Sequence, residues 1–205
     1  MDKAKIRLSP TETELVSNAG WILTKNGILQ KAKYILEHLQ SEEQEFLHSL
    51  AGQLPDEVMR PSPKISKGEN YKGLPYLVLD YPRYFEKDNS FAIRCLFWWG
   101  NFFSITLHLS GNYKKMYESK IDTSLVLLKE EDFFICISAD QWEHHFEIDN
   151  YLPLDEMDNA QFKKHISNKK FIKLAKKIPL QQWDNAENIL FDSFRRIIHM
   201  LSLVT

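Results

Sequence analysis

The sequence predicts an α+β domain, an antiparallel meander of about five or six strands flanked by N-terminal and C-terminal helices. Three observations predict it. Residues 1–54 repeat apolar side chains at helical spacing, residues 74–149 hold consecutive strand-like runs, and residues 158–204 return to the helical period. Strands that follow one another without helices between them form hairpins, not parallel βαβ units. The 205 residues, 43% hydrophobic and 26% charged, suit one soluble domain (1–205) with a sizeable core.

Ser9-Pro10-Thr11-Glu12 opens the first helix: Ser9 caps, Pro10 suits the first turn, and Glu12 is the box residue three after the cap. Asn18-Ala19-Gly20 interrupts it. From Trp21 onward Ile22, Ile28, Leu29, Ala32, Ile35, Leu36 and Leu39 recur at helical spacing. Ser41-Glu42-Glu43-Gln44 reads as a fresh cap for a short helix carrying Phe46, Leu47 and Leu50 and ending near Gly52. Pro55, Pro61 and Pro63 mark a break, and Arg60 to Gly73 reads as an irregular, anchored loop. Leu74 to Tyr81 is a strand, and Pro82 to Ser90 turns the chain.

Phe91 to Leu109 is a β-hairpin, because Phe, Trp, Ile and Thr fill both arms and Gly100-Asn101 suits a two-residue turn. That turn places Trp99 opposite Phe102, Trp98 opposite Phe103 and Arg94 opposite Leu107. One face then carries Ala92, Leu96, Trp98, Phe103, Ile105, Leu107 and Leu109, interrupted only by Arg94. The other carries Phe91, Ile93, Cys95, Phe97, Trp99, Phe102, Ser104, Thr106 and His108. This second face mixes aromatic and polar groups, as a pocket does, and equally suits a sheet face covered by helices.

Ser124–Lys129, Phe133–Ala139 and Gln141–Asp149 read as further strands, the first two joined by the acidic turn Glu130-Glu131-Asp132. Tyr113–Thr123 fits neither period. Phe162, Ile166, Leu174 and Ile178 mark a lysine-rich helix that Pro179 stops. The final helix places Trp183, Ala186, Leu190, Phe194, Ile197 and Leu201 on one stripe.

The net charge of -2 predicts no attraction to nucleic acid or to an anionic membrane. No uncharged apolar run is long enough to span a bilayer, and the first eight residues lack a signal core. Cys95 and Cys136 sit in apolar runs, like buried free thiols; on adjacent strands they could also reach one another. The expected location is the cytoplasm.

Two stretches carry polar groups in a suggestive pattern. The Arg60–Lys72 loop gathers Arg60, Lys64, Lys67 and Lys72 beside Gly68 and Gly73, with Ile65 and Tyr71 as anchors. Backbone amides and cations in such a loop can hold an anion, although the glycine spacing matches neither a Walker loop nor a dinucleotide fingerprint. Asp80-Tyr81-Pro82-Arg83 ends a strand in an acid beside an arginine, which suits a local ion pair or a base with an anion clamp. His144 and His145 would point to opposite faces of a strand, and no CxxC, HExxH or GxSxG spacing occurs, so neither a metal nor a cofactor is expected.

An acidic block (Asp140, Glu143, Glu147, Asp149, Asp155, Glu156, Asp158) precedes seven lysines between Lys163 and Lys177. Intramolecular pairing between the two is the expectation. Two functions fit these patterns. The first is a non-enzymatic domain that holds a small ligand or a protein partner on Trp99, Phe102, Ser104, Thr106 and His108, with Tyr71 and the basic loop nearby. The second is an enzyme acting on an anionic small molecule, with Asp80 or His108 as base and Arg60, Lys64, Lys67 or Arg83 as clamp.

Overall fold

The computed structural model describes residues 6–50 and 52–202. Residues 1–5, and 203–204 of the expected C-terminal helical segment, lie outside the described residues. The chain divides into two compact units, Met1–Ile35 and Leu36–Thr205. Seven α-helices occur among the described residues: α1 (Pro10–Ser17), α2 (Ala19–Ser49), α3 (Asp56–Met59), α4 (Gly111–Thr123), α5 (Leu125–Glu130), α6 (Asn159–Asn168) and α7 (Ala186–Leu201). The strands are β1 (Lys64–Tyr71), β2 (Leu74–Phe85), β3 (Ser90–Trp98), β4 (Phe102–Ser110), β5 (Phe134–Cys136), β6 (Tyr151–Pro153) and β7 (Phe171–Pro179). They form one antiparallel sheet in the order β1-β2-β3-β4-β7-β5-β6. The chain is thus α+β with a helix-flanked antiparallel sheet, of seven strands where five or six were expected.

The first unit contains α1, closed by the Ser9/Glu12 capping box. In the second unit α2 does not restart at Ser41. The Ser41 hydroxyl donates to the Glu37 carbonyl at 3.2 Å instead of capping, and Leu36, Leu39, Glu43 and Leu47 continue one buried stripe.

Several elements differ from expectation. The basic loop is largely strand β1, paired with β2 from Lys64↔Asp80 to Gly68↔Tyr76. Where Ser124–Lys129 was expected as a strand, Leu125–Glu130 form α5, and Leu125 and Leu128, three apart, are the pair it buries. Residues 141–149 are irregular. The lysine helix ends at Asn168, and Phe171–Pro179 becomes β7, an interior strand between β4 and β5. Its lysines hid an alternation of Ile172, Leu174 and Ile178 at period two.

The hairpin register is shifted by one residue. Trp98 pairs with Phe102 and Phe97 with Phe103, so Trp99, Gly100 and Asn101 form the turn. The Asn101 amide donates to the Trp98 carbonyl at 3.1 Å, and Gly100 takes the positive φ of 71° that the third turn position requires. The expected face partition therefore fails: every β4 residue changes sides relative to β3. One face carries Phe91, Ile93, Cys95 and Phe97 with Phe103, Ile105, Leu107 and Leu109. Phe91 packs on Tyr113 and Tyr117 of α4, and Phe97 and Phe103 pack on Trp183. Each such side chain, at most 1% exposed, contributes about 2–3 kcal/mol of burial. The opposite face carries Ala92, Arg94, Leu96 and Trp98 with Phe102, Ser104, Thr106 and His108, and residues 141–150 lie over it.

Candidate functional site

The second, polar face is organised in rungs that cross the strands. Lys64, Asp80, Arg94, Thr106 and Ala175 form one. Arg83, Ala92, His108 and Lys173 form the next, and Phe85, Ser90, Ser110 and Phe171 the last. A bulge in β2 makes this alignment. Between Asp80 and Arg83 the strand advances three residues while β3 advances two, from Arg94 to Ala92. Without the extra residue Asp80 and Arg83 would point to opposite faces; with it they share one. Pro82, which has no N–H to give a ladder, lies inside this bulge.

The rungs open at the sheet edge into a cleft of 440 Å³ lined by Lys64, Asp80, Arg83, Phe85, Glu86, Lys87, Ser90, Arg94, Gln141 and Trp142. Four of these are cations and two are carboxylates. Asp80 is already committed: its two oxygens accept from Arg94 Nε at 2.7 Å and Nη2 at 3.0 Å. The pair is largely buried, with 10% of the Asp80 side chain and 19% of the Arg94 side chain exposed. Arg83 Nε donates to the Ser62 carbonyl at 3.2 Å. Among the described residues Lys64, Arg83 and Lys87 have no carboxylate within 4.0 Å. Three cations outside any ion pair therefore line one concavity with one further carboxylate, Glu86, which leaves the cleft net positive.

Residues 137–150 roof the polar face, and specific bonds hold them there. Lys169 Nζ donates to the Ile137 and Ser138 carbonyls at 2.6 and 3.0 Å. The Tyr71 hydroxyl accepts from the His144 and His145 amides at 2.7 and 3.1 Å and donates to Glu143 at 2.8 Å. Its burial pushes the Tyr71 hydroxyl up to about 12. Lys173 Nζ donates to the Glu143 carbonyl and lies over the Tyr151 ring; burial lowers its ammonium to about 8. Arg94 Nη1 reaches His144 Nε2 at 3.1 Å, and burial, with Lys173 and Arg94 nearby, keeps that imidazole neutral.

His108 is 5% exposed and bonds through Nε2 to Gln141 Oε1 at 2.8 Å. Burial lowers it to about 4, so it is neutral at physiological pH. Neutral imidazole with Nε2–H donates to the Gln141 oxygen. That bond orients the Gln141 side chain, which lines the cleft that His108 itself does not reach.

Of the residues singled out from the sequence, Lys64, Asp80 and Arg83 come together at the cleft. Arg60 and Lys67 do not line it; Lys67 pairs with Glu69 on the surface at 2.7 Å. Gly68 holds no phosphate cradle: it lies beneath the Tyr76 ring, where an added Cβ would stand 2.3 Å from the ring atoms. Tyr71 holds the roof. Phe102, Ser104 and Thr106 share the polar face but are sealed, Phe102 by Phe146 at 5.0 Å between ring centroids. Trp99 sits in the turn against Phe97, on the far side. Asp80 pairs with Arg94 across the sheet, not with Arg83.

The cleft also draws on Arg94, Phe85, Lys87, Gln141 and Trp142. Arg94 had a signal, as the one charge within an otherwise apolar strand. Gln141 and Trp142 had none, since only the roof's path brings them here.

Two of the lysines pair outside the acidic block, Lys163 with Asp122 at 3.7 Å and Lys176 with Glu131 at 3.2 Å. Cys95 and Cys136 are free, buried and on opposite faces of the sheet. Away from the cleft, His38, Glu42 and Glu187 bring ligand-type atoms within 4.8 Å of one another. The His38 ring is already bonded to Glu187, whose carboxylate raises the imidazole's proton affinity. No helix among the described residues is long and apolar enough to cross a membrane. Comparison of the chain with protein-family models, with curated proteins and with solved structures finds no match.

Proposed function

We propose that this protein is a non-enzymatic binding domain that holds a small anionic molecule in the cleft beside β2. The observation that carries the reading is the convergence of Lys64, Arg83 and Lys87, without carboxylate partners among the described residues, on one 440 Å³ concavity. Arg and Lys side chains of this kind clamp carboxylate and phosphate groups. Two features favour binding over catalysis. Asp80 is occupied by Arg94, and His108, lowered to about 4 and screened by Gln141 and Trp142, is a weak and distant base. Free buried Cys95 and Cys136 support a reducing location such as the cytoplasm.

The test is calorimetric titration with inorganic phosphate at low ionic strength. Binding with a Kd of about 1 mM or tighter is expected, weakening as salt rises. Arg83→Gln and Lys64→Gln should each weaken it several-fold. Absence of binding, or binding that ignores both substitutions and salt, refutes the reading.

A further inference from the structure

The cations occupy only part of the cleft. At its mouth stand two large rings, Phe85 and Trp142, 38% and 49% exposed. Their centroids are 6.2 Å apart and their planes meet at 46°. The His108 ring packs edge-on against Trp142 at 5.3 Å and 80°, and the Trp142 backbone amide donates to Asp140 Oδ1 at 2.8 Å. A half-exposed indole beside a charged cavity is an apolar seat that water fills poorly.

Gln141 precedes it. With its oxygen taken by His108, its amide N–H groups make no bond among the described residues and remain for a ligand acceptor. Phe85 lies two residues along the strand from Arg83 on the same face, about 7 Å. A pentose ring bridges a comparable gap between a base and its phosphate.

We propose that the anion taken by the cleft carries a planar, acceptor-bearing ring, the chemistry of a nucleoside monophosphate. The phosphate sits among Lys64, Arg83 and Lys87, the ring lies against Trp142 and Phe85, and Gln141 donates to a ring oxygen or nitrogen. This inference rests on the reading of the cleft as an anion site and adds the ring. Stacking one base on one aromatic side chain is worth about tenfold or more in affinity.

The experiment titrates AMP, GMP, CMP and UMP against ribose 5-phosphate and inorganic phosphate, read by tryptophan fluorescence and by calorimetry. At least one nucleotide is expected to bind about tenfold more tightly than ribose 5-phosphate and to quench the fluorescence. Trp142→Leu should lower nucleotide affinity about tenfold, to that of ribose 5-phosphate for the same variant, whereas Trp142→Phe should keep most of the advantage. Circular dichroism checks that each variant is folded.

If nucleotides and ribose 5-phosphate bind equally, the ring is refuted and the anion site stands. An advantage that survives both Trp142→Leu and Phe85→Leu places the ring elsewhere and also refutes the proposal. If no phosphate compound binds, the anion reading fails and takes this one with it.

Discussion

Replacing Glu43 by Met is expected to stabilise the protein by about 1–3 kcal/mol at pH 7.5. Glu43 is fully buried on the α2 stripe that otherwise carries Leu36, Leu39 and Leu47. One carboxyl oxygen meets only the Cys95 thiol, at 3.8 Å, and the other has no partner. Desolvation pushes this carboxyl well above its ordinary 4.5. The folded protein therefore keeps the proton, while the unfolded chain releases it above about pH 4.5.

Its contribution to stability is fully present below that value and is lost as pH rises towards the raised folded pKa. The slope is about 1.4 kcal/mol per pH unit. Met keeps the volume and removes both the unpartnered oxygen and the titration. Urea unfolding of both proteins at pH 5 and pH 7.5 checks this: the gap in favour of Met should widen at the higher pH. Equal pH dependence in the two proteins would show that burial does not raise the Glu43 carboxyl above its unfolded value. Lys173, lowered to about 8, works the other way in a separate window, its stability deficit shrinking as pH rises from about 8 to 10.5.

Asp80→Ala is expected to destabilise the fold by about 3–5 kcal/mol, because it strands the buried Arg94 guanidinium. Arg94 has neutral His144 at 3.1 Å and feels the like charge of Lys173, and Asp80 is its one ion-pair partner among the described residues. The double variant Asp80→Leu/Arg94→Leu should recover most of the loss, since an apolar pair leaves no charge unpaired. Asp80→Asn should cost less than Asp80→Ala and strengthen phosphate binding about fivefold, by removing one of the two carboxylates that oppose the anion. A urea-denaturation cycle measures the first effect and phosphate titration the second. If Asp80→Asn weakens phosphate binding, Asp80 supports the bound anion and does not compete with it.

Much of the architecture was legible in local patterns. The Ser9 to Glu12 box, the α7 stripe from Ala186 to Leu201 and the β-rich arms around Gly100 each report a local preference that packing then respects. What failed was set by neighbours. Whether Trp99 belongs to a strand or to a turn depends on one residue of loop length, and that choice moved Ser104, Thr106 and His108 to the other side relative to β3. Phe171–Pro179 looked helical because Lys173, Lys176 and Lys177 resembled a wet face. In an interior strand those amines bury their stems and reach Glu143, Glu131 and the aromatic rings.

The cleft was half legible. Lys64, Asp80 and Arg83 stood out as polar groups near a strand end, yet strict alternation would have parted the last two.

Composition and periodicity were enough to establish helices flanking an antiparallel sheet, because burial needs and backbone preferences act over a few residues. The site was decided at longer range. The bulge at Pro82 turned Arg83 to the side of Asp80, Arg94 arrived from the next strand, and Gln141 and Trp142 came from a roof with no period of its own. Those positions follow from strand pairing and from bonds such as Tyr71 to the roof amides, contacts between residues dozens of positions apart that no local pattern encodes.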